Sequence, residues 1–505
     1  SRRELSDPSP RRAVCLAVSL AGDASTPWKR LVWPVRAMRC AWRRRWLVLA
    51  ALVAVTPVSP APLRVAYLHQ ALPVGGIESS ILELCRHVDR SRIEPTVVLF
   101  GVGADRALEA AIVQANCTVA WFAARSRNPD NSISWDAGEV ARLVDYLRYE
   151  RFDGAFCYYG GGDSASEPVP LALAAAQRAG VRAAVARIEW AASAPDGWPV
   201  DAIEVSTPYV ARLQLQAGVP YDLHFSGAGV DAAPRIEKAH SRTLVVGRVS
   251  RLVVAKDPFT FILAAKLIAD AVKDGAAPNF DAVRFVVGGD GPARTQLEDL
   301  AKEIGVEVDF VGFVDPVQRS MLLDSLDVFL YSTTCDSFGY VVAEAMAHGV
   351  PVVAGRVCAI EDLVEDGGTG FLVDPAREGF VNLDTARPYA DAVLRCAGLT
   401  ISQRRNMGDK ARFVVERSWS VAAYVDRHAS LFERVVHDAG AGRSRRRGGA
   451  AAHARDAAHA QDAAHARAAA HARDAAHARD AAHARNSAHA RVAKPYTLTF
   501  HGADL

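Results

Sequence analysis

The sequence predicts an α/β protein made of two doubly wound domains that face a common cleft, with low-complexity segments at both ends. Two observations carry this prediction. Short apolar runs alternate with helical periods from Leu63 onward, and the same alternation begins again at Thr243. Strands that alternate with helices form βαβ units, which build parallel sheets covered on both faces. Ligands of such sheets bind at the carboxyl ends of the strands, so we expect the functional residues there.

The first series spans residues 63–234, which we predict to be the N-terminal domain. Its first strand, Leu63-Arg-Val-Ala-Tyr-Leu, runs into Gly75 and Gly76, and a helical period follows through Ile81 and Leu84. Further strands are predicted at 95–100, 153–158 and 181–188, and further helices at 107–114 and 140–149. Both domains should therefore be Rossmann-like, provided that the second series repeats this order.

The second series spans residues 242–418, the predicted C-terminal domain, after a polar linker that lacks periodicity. Strands are predicted at 243–247, 283–288, 308–311, 327–331 and 350–353. Helices are predicted at 258–273, 293–304, 316–325 and 338–348. The order of elements matches the first series, so the two halves share one architecture.

The 505 residues are 50% hydrophobic and carry a net charge of +2, but the charge is unevenly distributed. Residues 1–46 have a balance of +8 and residues 440–491 a balance of +6, which leaves −12 for residues 47–439. An acidic centre is not suited to a phosphate backbone. We therefore expect no nucleic acid among the partners of the folded part.

The two ends differ from the centre. Residues 1–62 form a basic leader in which Met38, several arginines and the apolar run 47–55 resemble a signal peptide or short anchor at 38–62. With such a segment we expect the secretory pathway or membrane association, and otherwise the cytoplasm. Residues 439–505 form a low-complexity Ala/His/Arg tail whose histidines recur every six residues. On a helix that spacing spreads the histidines over three faces, so we predict no metal site in the tail.

Eight cysteines are scattered along the chain, and none forms a Cys-x-x-Cys pair. In a chain of this length they predict neither a disulfide framework nor a zinc cluster. We expect small buried side chains with reduced thiols.

Two stretches of the second series have the chemistry of an anion site. A glycine turn with Gly289 and Gly291 follows the predicted strand 283–288 and leads into a helix, where backbone N–H groups can approach an anion. Arg251 and Lys256 follow the strand 243–247, and an arginine with a lysine suits a diphosphate. Arg248 is an alternative to Arg251, because both follow the strand end closely.

The stretch from Cys335 to Val353 carries two carboxylates eight residues apart. Asp336 lies in the loop after the strand 327–331, and Glu344 lies about two turns into the next helix. Phe338 and Gly339 stand between them. Carboxylates at such a strand–helix junction can accept hydrogen bonds from sugar and ribose hydroxyls.

Taken together, the motifs from Val245 to Pro375 resemble the C-terminal domain of glycosyltransferase family 4, the retaining GT-B enzymes with a "glycosyl transferases group 1" domain. The blocks occur in the family's order: Arg251 with Lys256, Gly-Asp-Gly-Pro at 289–292, the acid-x7-Glu block at 336–344, Gly349-Val-Pro and Gly370-Phe-Leu-Val-Asp-Pro. Less sharply, Gly229-Val-Asp resembles the signature before the linker. The segment 419–438 resembles a closing helix that packs back on the N-terminal domain.

The resemblance implies a hexosyltransferase that moves a sugar from a nucleoside-diphosphate sugar to a hydroxyl acceptor, such as a glycan or a lipid-linked glycan. It implies that Arg251 and Lys256 neutralise the diphosphate, with Gly76 close to the same phosphates. Glu344 would bind the ribose, and Asp336 with the N–H groups of Phe338 and Gly339 would hold the sugar. No cofactor and no metal ion is expected, since no Asp-x-Asp motif occurs in a suitable loop.

Two departures from the family keep a second hypothesis open. The first acid is Asp336 where the family usually has Glu, and no histidine occurs between His87 and His224, where many members carry one. Arg187 or Glu189 is a candidate substitute for that histidine. The alternative function is therefore a catalytically weak homologue that binds a sugar nucleotide or a partner enzyme as a subunit.

Overall fold

The computed structural model describes residues 61–69, 76–101, 106–123, 125–127, 133–159, 168–189, 199–219, 221–227, 229–231, 241–374 and 381–441. Almost all of the predicted leader and tail lies outside these residues. Gly75 does as well.

A seven-stranded sheet forms the first half, in the order β3-β2-β1-β6-β7-β8-β9. Its strands are β1 (Leu63–His69), β2 (Ile93–Leu99), β3 (Thr118–Trp121), β6 (Gly154–Tyr159), β7 (Ala183–Ile188), β8 (Ala202–Val205) and β9 (Leu223–Phe225). The helices are α1 (Gly76–His87), α2 (Arg106–Gln114), α3 (Ala137–Glu150), α4 (Pro168–Ala179) and α5 (Pro208–Gln216). All neighbours pair in parallel. A short antiparallel pair, β4 (Arg125–Arg127) with β5 (Ile133–Trp135), stands apart from this sheet.

A six-stranded parallel sheet forms the second half, in the order β12-β11-β10-β13-β14-β15. Its strands are β10 (Thr243–Val249), β11 (Ala282–Gly288), β12 (Asp309–Gly312), β13 (Val328–Tyr331), β14 (Val352–Gly355) and β15 (Gly370–Val373). The helices are α6 (Pro258–Lys273), α7 (Arg294–Glu303), α8 (Pro316–Ser325), α9 (Tyr340–Ala347), α10 (Ile360–Leu363), α11 (Leu383–Gly398), α12 (Ile401–Val414) and α13 (Val421–Gly440). The predicted α/β class with two parallel sheets is confirmed.

Apolar side chains cover both faces of each sheet. Every residue of β13 and of β14 is buried, and two separate apolar clusters lie on the two sides of the second sheet. Strands of a parallel sheet are buried on both sides and therefore form short continuous apolar runs. This is why the sequence predicts their positions well.

The chain crosses back to the first sheet after α12. Val230 and Ser420 form an isolated parallel bridge, and the N–H of Val230 donates to the carbonyl of Trp419 at 2.9 Å. From there α13 adds Tyr424 and Phe432 to an apolar cluster of the first sheet. The closing helix thus packs on the half from which the linker departs.

The cysteine prediction is wrong for four of the described residues. Cys85 is bonded to Cys117 within the first half, and Cys335 to Cys358 within the second half, with Cα atoms 5.9 and 5.4 Å apart. Cys157 and Cys396 are free and buried, as expected. Sequence spacing could not reveal these pairs, because each closes a loop of more than twenty residues that only the fold brings together.

Candidate active site

The loop after β10 rests on the glycine turn after β11. Gly289 has a φ of +120° and Gly291 a φ of +156°, and a Cβ at these positions would overlap the carbonyl oxygens of Ser250 and Leu252 respectively. The N–H of Gly289 donates to the carbonyl of Gly312, and the N–H of Gly291 to the side chain of Asp290. The glycines are therefore needed for close contact between two backbone segments. The anion contacts of Gly289 and Gly291 stay a prediction.

Arg248 lies beneath this loop and is fully buried. Its guanidinium donates to the carbonyls of Lys256 and Asp257, at 2.7 and 3.1 Å, and to the hydroxyls of Ser250 and Ser332, at 3.0 and 3.2 Å. Burial lowers the pKa of Arg248. Arg248 thus holds the 250–257 loop from below, and its role as a donor-binding residue stays a prediction.

Arg251 and Lys256 occupy the upper side of the loop. Arg251 is exposed and makes no hydrogen bond or ion pair with another described residue. The ammonium of Lys256 is about four-fifths buried and lies 2.7 Å from Oδ2 of Asp336. Of the two predicted phosphate-binding cations, one is thus free to meet an anion and the other stands beside the predicted sugar-binding acid.

Asp336 is held by groups from three directions. The hydroxyl of Tyr331, the last residue of β13, donates to the same Oδ2 at 3.0 Å. The backbone carbonyl of Asp336 accepts from the N–H of Ala359 at 3.0 Å. Burial, with the carboxylate of Asp336 beside it, raises the pKa of Tyr331, so its phenol is a proton donor at all ordinary pH values. Tyr331 was not predicted as a site residue, although its position at a strand end is visible in the sequence.

Gly339 begins α9 with a φ of +86°, and a Cβ there would lie 2.6 Å from Cδ1 of Ile360. Phe338 is buried, with its ring centroid 4.7 Å from that of Tyr340 and 5.3 Å from that of Trp419. Phe338 can contribute only backbone to a ligand. The two residues place the start of α9 directly after Asp336, where helix N–H groups are available to oxygen acceptors.

Glu344 faces the site from the second turn of α9. Its side chain is about four-fifths buried, and Oε2 lies 3.0 Å from Nε of Arg319 on α8, without the alignment of a hydrogen bond. Burial raises the pKa of Glu344 to about 7; Arg319 opposes this shift, and Asp231 adds to it. Nothing in the sequence pattern singles out Arg319, which lies in the middle of α8.

The two halves meet at the start of α9. The hydroxyl of Tyr340 lies 2.9 Å from that of Ser80 on α1, and the hydroxyl of Thr207 donates to the carbonyl of Ser337 at 3.0 Å. Asp362 accepts from the N–H of Tyr209 at 2.6 Å. Gly76 is the first residue of α1, one turn before Ser80. The start of α1 at Gly76 therefore lies one helical turn from a contact between the two halves.

Arg187 and Glu189, the candidate substitutes for the family histidine, pair with each other in the interior. Arg187 also donates to the hydroxyl of Ser226 at 2.8 Å and the carbonyl of Gly227 at 2.7 Å, with its guanidinium over the ring of Tyr424. A fully satisfied, buried arginine has a structural role in linking α13 to the first sheet. These contacts favour a structural reading of the pair.

A cluster of potential metal ligands occurs within the described residues. One ligand atom each of Glu83, His87 and Asp231 lies within 4.8 Å of the others. Glu83 already contacts Arg86 at 2.8 Å, and His87 lies 3.2 Å from it. A neighbouring arginine and solvent exposure of two of the three residues do not favour a cation.

Among the described helices none is long and apolar enough to cross a membrane.

A family model described as "Glycosyl transferases group 1" matches residues 231–382, which contain the second sheet and the predicted site from Arg248 to Glu344. The chain carries a glycosyl transferases group 1 domain. The domain explains why the site residues of this half recur in the family's order, whereas the motifs of the first half are less distinct.

Two curated relatives match part of this domain. Over 157 residues the chain is 30% identical to N-acetyl-alpha-D-glucosaminyl L-malate synthase of Bacillus anthracis, covering 31% of this chain and 38% of that protein. Over 137 residues it is 37% identical to D-inositol 3-phosphate glycosyltransferase of Thermomonospora curvata, covering 26% and 30%. The chain thus spans less than two fifths of the length of either relative.

Solved structures match both halves. HepE from Anabaena in complex with UDP and glucose superposes with a TM-score of 0.55 at 18% identity, over 74% of this chain and 100% of that one. TarM of S. aureus, in complex with Fondaparinux, alpha-GlcNAc-glycerol and UDP, superposes with a TM-score of 0.53 at 13% identity, over 73% and 99%. At this identity the likeness concerns the fold, and the predicted GT-B fold is confirmed.

Proposed function

We propose that the protein is a retaining hexosyltransferase of glycosyltransferase family 4 that moves a sugar from a nucleoside-diphosphate sugar to a hydroxyl of a glycan, a lipid or another acceptor. The observation that carries the proposal is the contact of Lys256 with Asp336 at the carboxyl edge of the second sheet, with Glu344 on the helix that follows. The matched family model and the names of the relatives support transfer of a glycosyl group. The UDP and glucose named with HepE support a sugar nucleotide as the donor class.

In this mechanism the diphosphate leaves with additional negative charge, which the chain must stabilise in the transition state. The exposed guanidinium of Arg251 can take two phosphate oxygens, and Lys256 supplies a second positive charge at the site. Fixed cations aimed at developing charge lower the barrier more than they stabilise the ground state. Two side-chain cations would do what a divalent ion does elsewhere, so we propose chemistry without metal or cofactor.

The two carboxylates would bind different parts of the donor. Asp336 would accept from hydroxyls of the transferred sugar, since Lys256 and Tyr331 both approach Oδ2 and no described residue donates to Oδ1. Glu344, two turns farther along, would accept from the ribose. The N–H groups of Phe338 and Gly339 would contact the sugar, and Gly76 would bring backbone near the phosphates.

A second candidate is a binding subunit without transfer activity. Asp336 has one methylene fewer than the family's glutamate, and Lys256 is already engaged by it. Under this hypothesis the chain binds a sugar nucleotide or a partner enzyme, and no donor is consumed.

The two candidates differ in one experiment with the purified chain. We would measure the melting temperature with a panel of nucleoside-diphosphate sugars, and nucleoside diphosphate release from each stabilising donor, with and without EDTA. The proposed function predicts one donor that stabilises the chain and is consumed at the same rate in EDTA. Stabilisation without consumption across glycan and lipid acceptors supports the binding subunit, and no stabilisation by any donor contradicts both.

A further inference from the structure

A disulfide lies directly beside the predicted sugar-binding acid. Cys335 immediately precedes Asp336, and its partner Cys358 immediately precedes Ala359, whose N–H donates to the carbonyl of Asp336. The covalent bond and the hydrogen bond therefore join the same two segments at adjacent residues. The disulfide holds the loop after β13 against the loop after β14.

The loop after β14 is anchored on β15 and by a turn of its own. The N–H of Arg356 donates to the carbonyl of Val373 at 2.7 Å, and the N–H of Ile360 donates to the carbonyl of Val357 at 3.0 Å. Cys358 itself has a φ of +47°, a conformation that a non-glycine residue keeps only when its surroundings impose it. On its other side the loop of Asp336 contacts the loop after β10, where the hydroxyl and the N–H of Thr334 donate to the carbonyl of Ala255 at 2.9 and 3.4 Å.

The two disulfides of the described part differ in access. Cys85 and Cys117 are 2% and 3% exposed, so their bond lies in the core. Cys335 and Cys358 are both partly exposed at the surface of the site. A small dithiol can approach the second bond from solvent, whereas it reaches the first only after local opening.

We propose that the Cys335–Cys358 disulfide is a redox-sensitive positioning element for Asp336, which keeps the sugar-binding loop in place while it is oxidised and releases it when it is reduced. Reduction transfers two electrons and two protons from a dithiol: the sulfur–sulfur bond breaks, two cysteine thiols form, and the dithiol becomes a cyclic disulfide. This inference rests on the proposed function, because it concerns the sugar that Asp336 would hold.

The physical reason is that, among the described residues, the disulfide and the hydrogen bond from the N–H of Ala359 to the carbonyl of Asp336 are the polar links between these two loops. After reduction the carbonyl of Asp336 keeps that hydrogen bond, and its carboxylate keeps Lys256, on a long side chain, and Tyr331, at the end of β13. A displacement of about 1 Å at a catalytic group lowers the rate by about 100-fold. The nucleoside part of the donor would be less affected, since Glu344 and Arg251 lie outside the segment that the disulfide joins.

The test compares affinities for a nucleoside-diphosphate sugar and for the same nucleoside diphosphate without sugar, by calorimetry, before and after treatment with dithiothreitol. We expect reduction to weaken binding of the sugar nucleotide by roughly tenfold or more, to leave the nucleoside diphosphate unchanged, and to lower turnover by up to about 100-fold. The variant Cys335→Ser with Cys358→Ser should show the reduced values in the absence of dithiol and no response to it. Circular dichroism and the melting temperature report whether that variant is folded.

The double variant Cys85→Ser with Cys117→Ser is the matched control, because it removes the other disulfide at a distance from the site. It should respond to dithiol as the parent does. Equal affinities and turnover of the oxidised and reduced parent, with mass spectrometry showing free thiols at 335 and 358, would overturn the inference while leaving the proposed function intact. A parent that binds nucleoside diphosphate and never consumes a sugar donor contradicts the proposed function instead, and the affinity comparison still decides the inference.

Discussion

The ammonium nitrogen of Lys256 lies 2.7 Å from Oδ2 of Asp336, and the hydroxyl of Tyr331 lies 3.0 Å from the same oxygen. Two donors on one carboxylate oxygen set the direction of the Asp336 carboxylate, while Oδ1 accepts nothing from the rest of the described chain. The pair joins the loop after β10 to the loop after β13. Lys256, the proposed cation for the leaving group, and Asp336, the proposed acceptor for the sugar, are therefore in direct contact.

Removal of the cation should affect the chemical step most. We predict that Lys256→Ala lowers kcat by roughly 10²–10³-fold, because a fixed charge that stabilises the transition state is lost. Lys266→Ala is the matched control, since Lys266 lies on α6 and, among the described residues, forms its ion pair with Asp270 at the surface. Steady-state kinetics at saturating donor measure both. Parental turnover of Lys256→Ala would show that the ion pair is structural.

Three substitutions of Asp336 separate its charge from its length. We predict that Asp336→Ala and the isosteric Asp336→Asn both lower kcat by roughly 10²–10³-fold, because neither offers a carboxylate. Asp336→Glu should keep most of the activity or raise it, since the carboxylate then extends by one methylene toward its usual position in the family. Kinetics with the preferred donor decide this. Full activity of Asp336→Asn is incompatible with a sugar-binding carboxylate.

Glu344 should give nucleotide binding a pH dependence near neutrality. Its pKa is raised to about 7 by burial, so the acceptor form that binds ribose hydroxyls accumulates as the pH rises through this value. We predict that the affinity for the nucleoside diphosphate increases between about pH 6 and pH 8 and levels off above. Glu344→Gln should bind more weakly and lose this step, whereas Glu303→Gln on the exposed side of α7 should keep it. Calorimetric titrations across the pH range measure the affinity for the nucleoside diphosphate. If the affinity of Glu344→Gln changes with pH as much as that of the parent, another group causes the pH dependence.

The raised pKa of Glu344 also affects the free energy of unfolding. Between about pH 4.5 and 7 the unfolded chain has lost the proton of Glu344 while the folded chain retains it. The contribution of this group to the free energy of unfolding is therefore largest below that window and falls as the pH rises through it. The fall should be smaller in Glu344→Gln.

The glycine turn should be intolerant of a side chain. At Gly289 a Cβ would overlap the carbonyl oxygen of Ser250, and the φ of +120° is unfavourable for any other residue. We predict that Gly289→Ala lowers the free energy of unfolding by at least about 3 kcal/mol, since two backbone segments must separate. At Gly305 the φ is +68° with nothing within 4 Å of a Cβ, so Gly305→Ala should cost only about 1–2 kcal/mol. Urea unfolding measures the free energy of unfolding of both variants. Equal losses would mean that the close contact of Gly289 with Ser250 adds nothing to the cost of a side chain.

The fold and the two acids were predictable because their signals are local. The strands β13 and β14 are short apolar runs, and Asp336 and Glu344 follow the first of them at a fixed spacing. Their nearness to Lys256 follows from topology, because β10 and β13 are neighbours in a parallel sheet and end at the same edge.

Features that depend on packing were not predictable. The burial of Arg248 was not predicted, because strands buried on both faces show no alternation that distinguishes inward from outward positions. Arg319, which pairs with Glu344, comes from a different helix and has no spacing signal. The pairing of Cys335 with Cys358 required the register of two separate loops.

The most direct test of the central claim is the anomeric configuration of the sugar that the chain transfers. Proton nuclear magnetic resonance, recorded during the first minutes with the preferred donor, reports the new glycosidic bond, or the freed sugar before it equilibrates when water is the acceptor. We predict that the product keeps the configuration of the donor, that it forms in the presence of EDTA, and that Lys256→Ala and Asp336→Ala slow its formation together. A product of inverted configuration, or an undiminished rate in both variants, would contradict retaining transfer at the Lys256–Asp336 site.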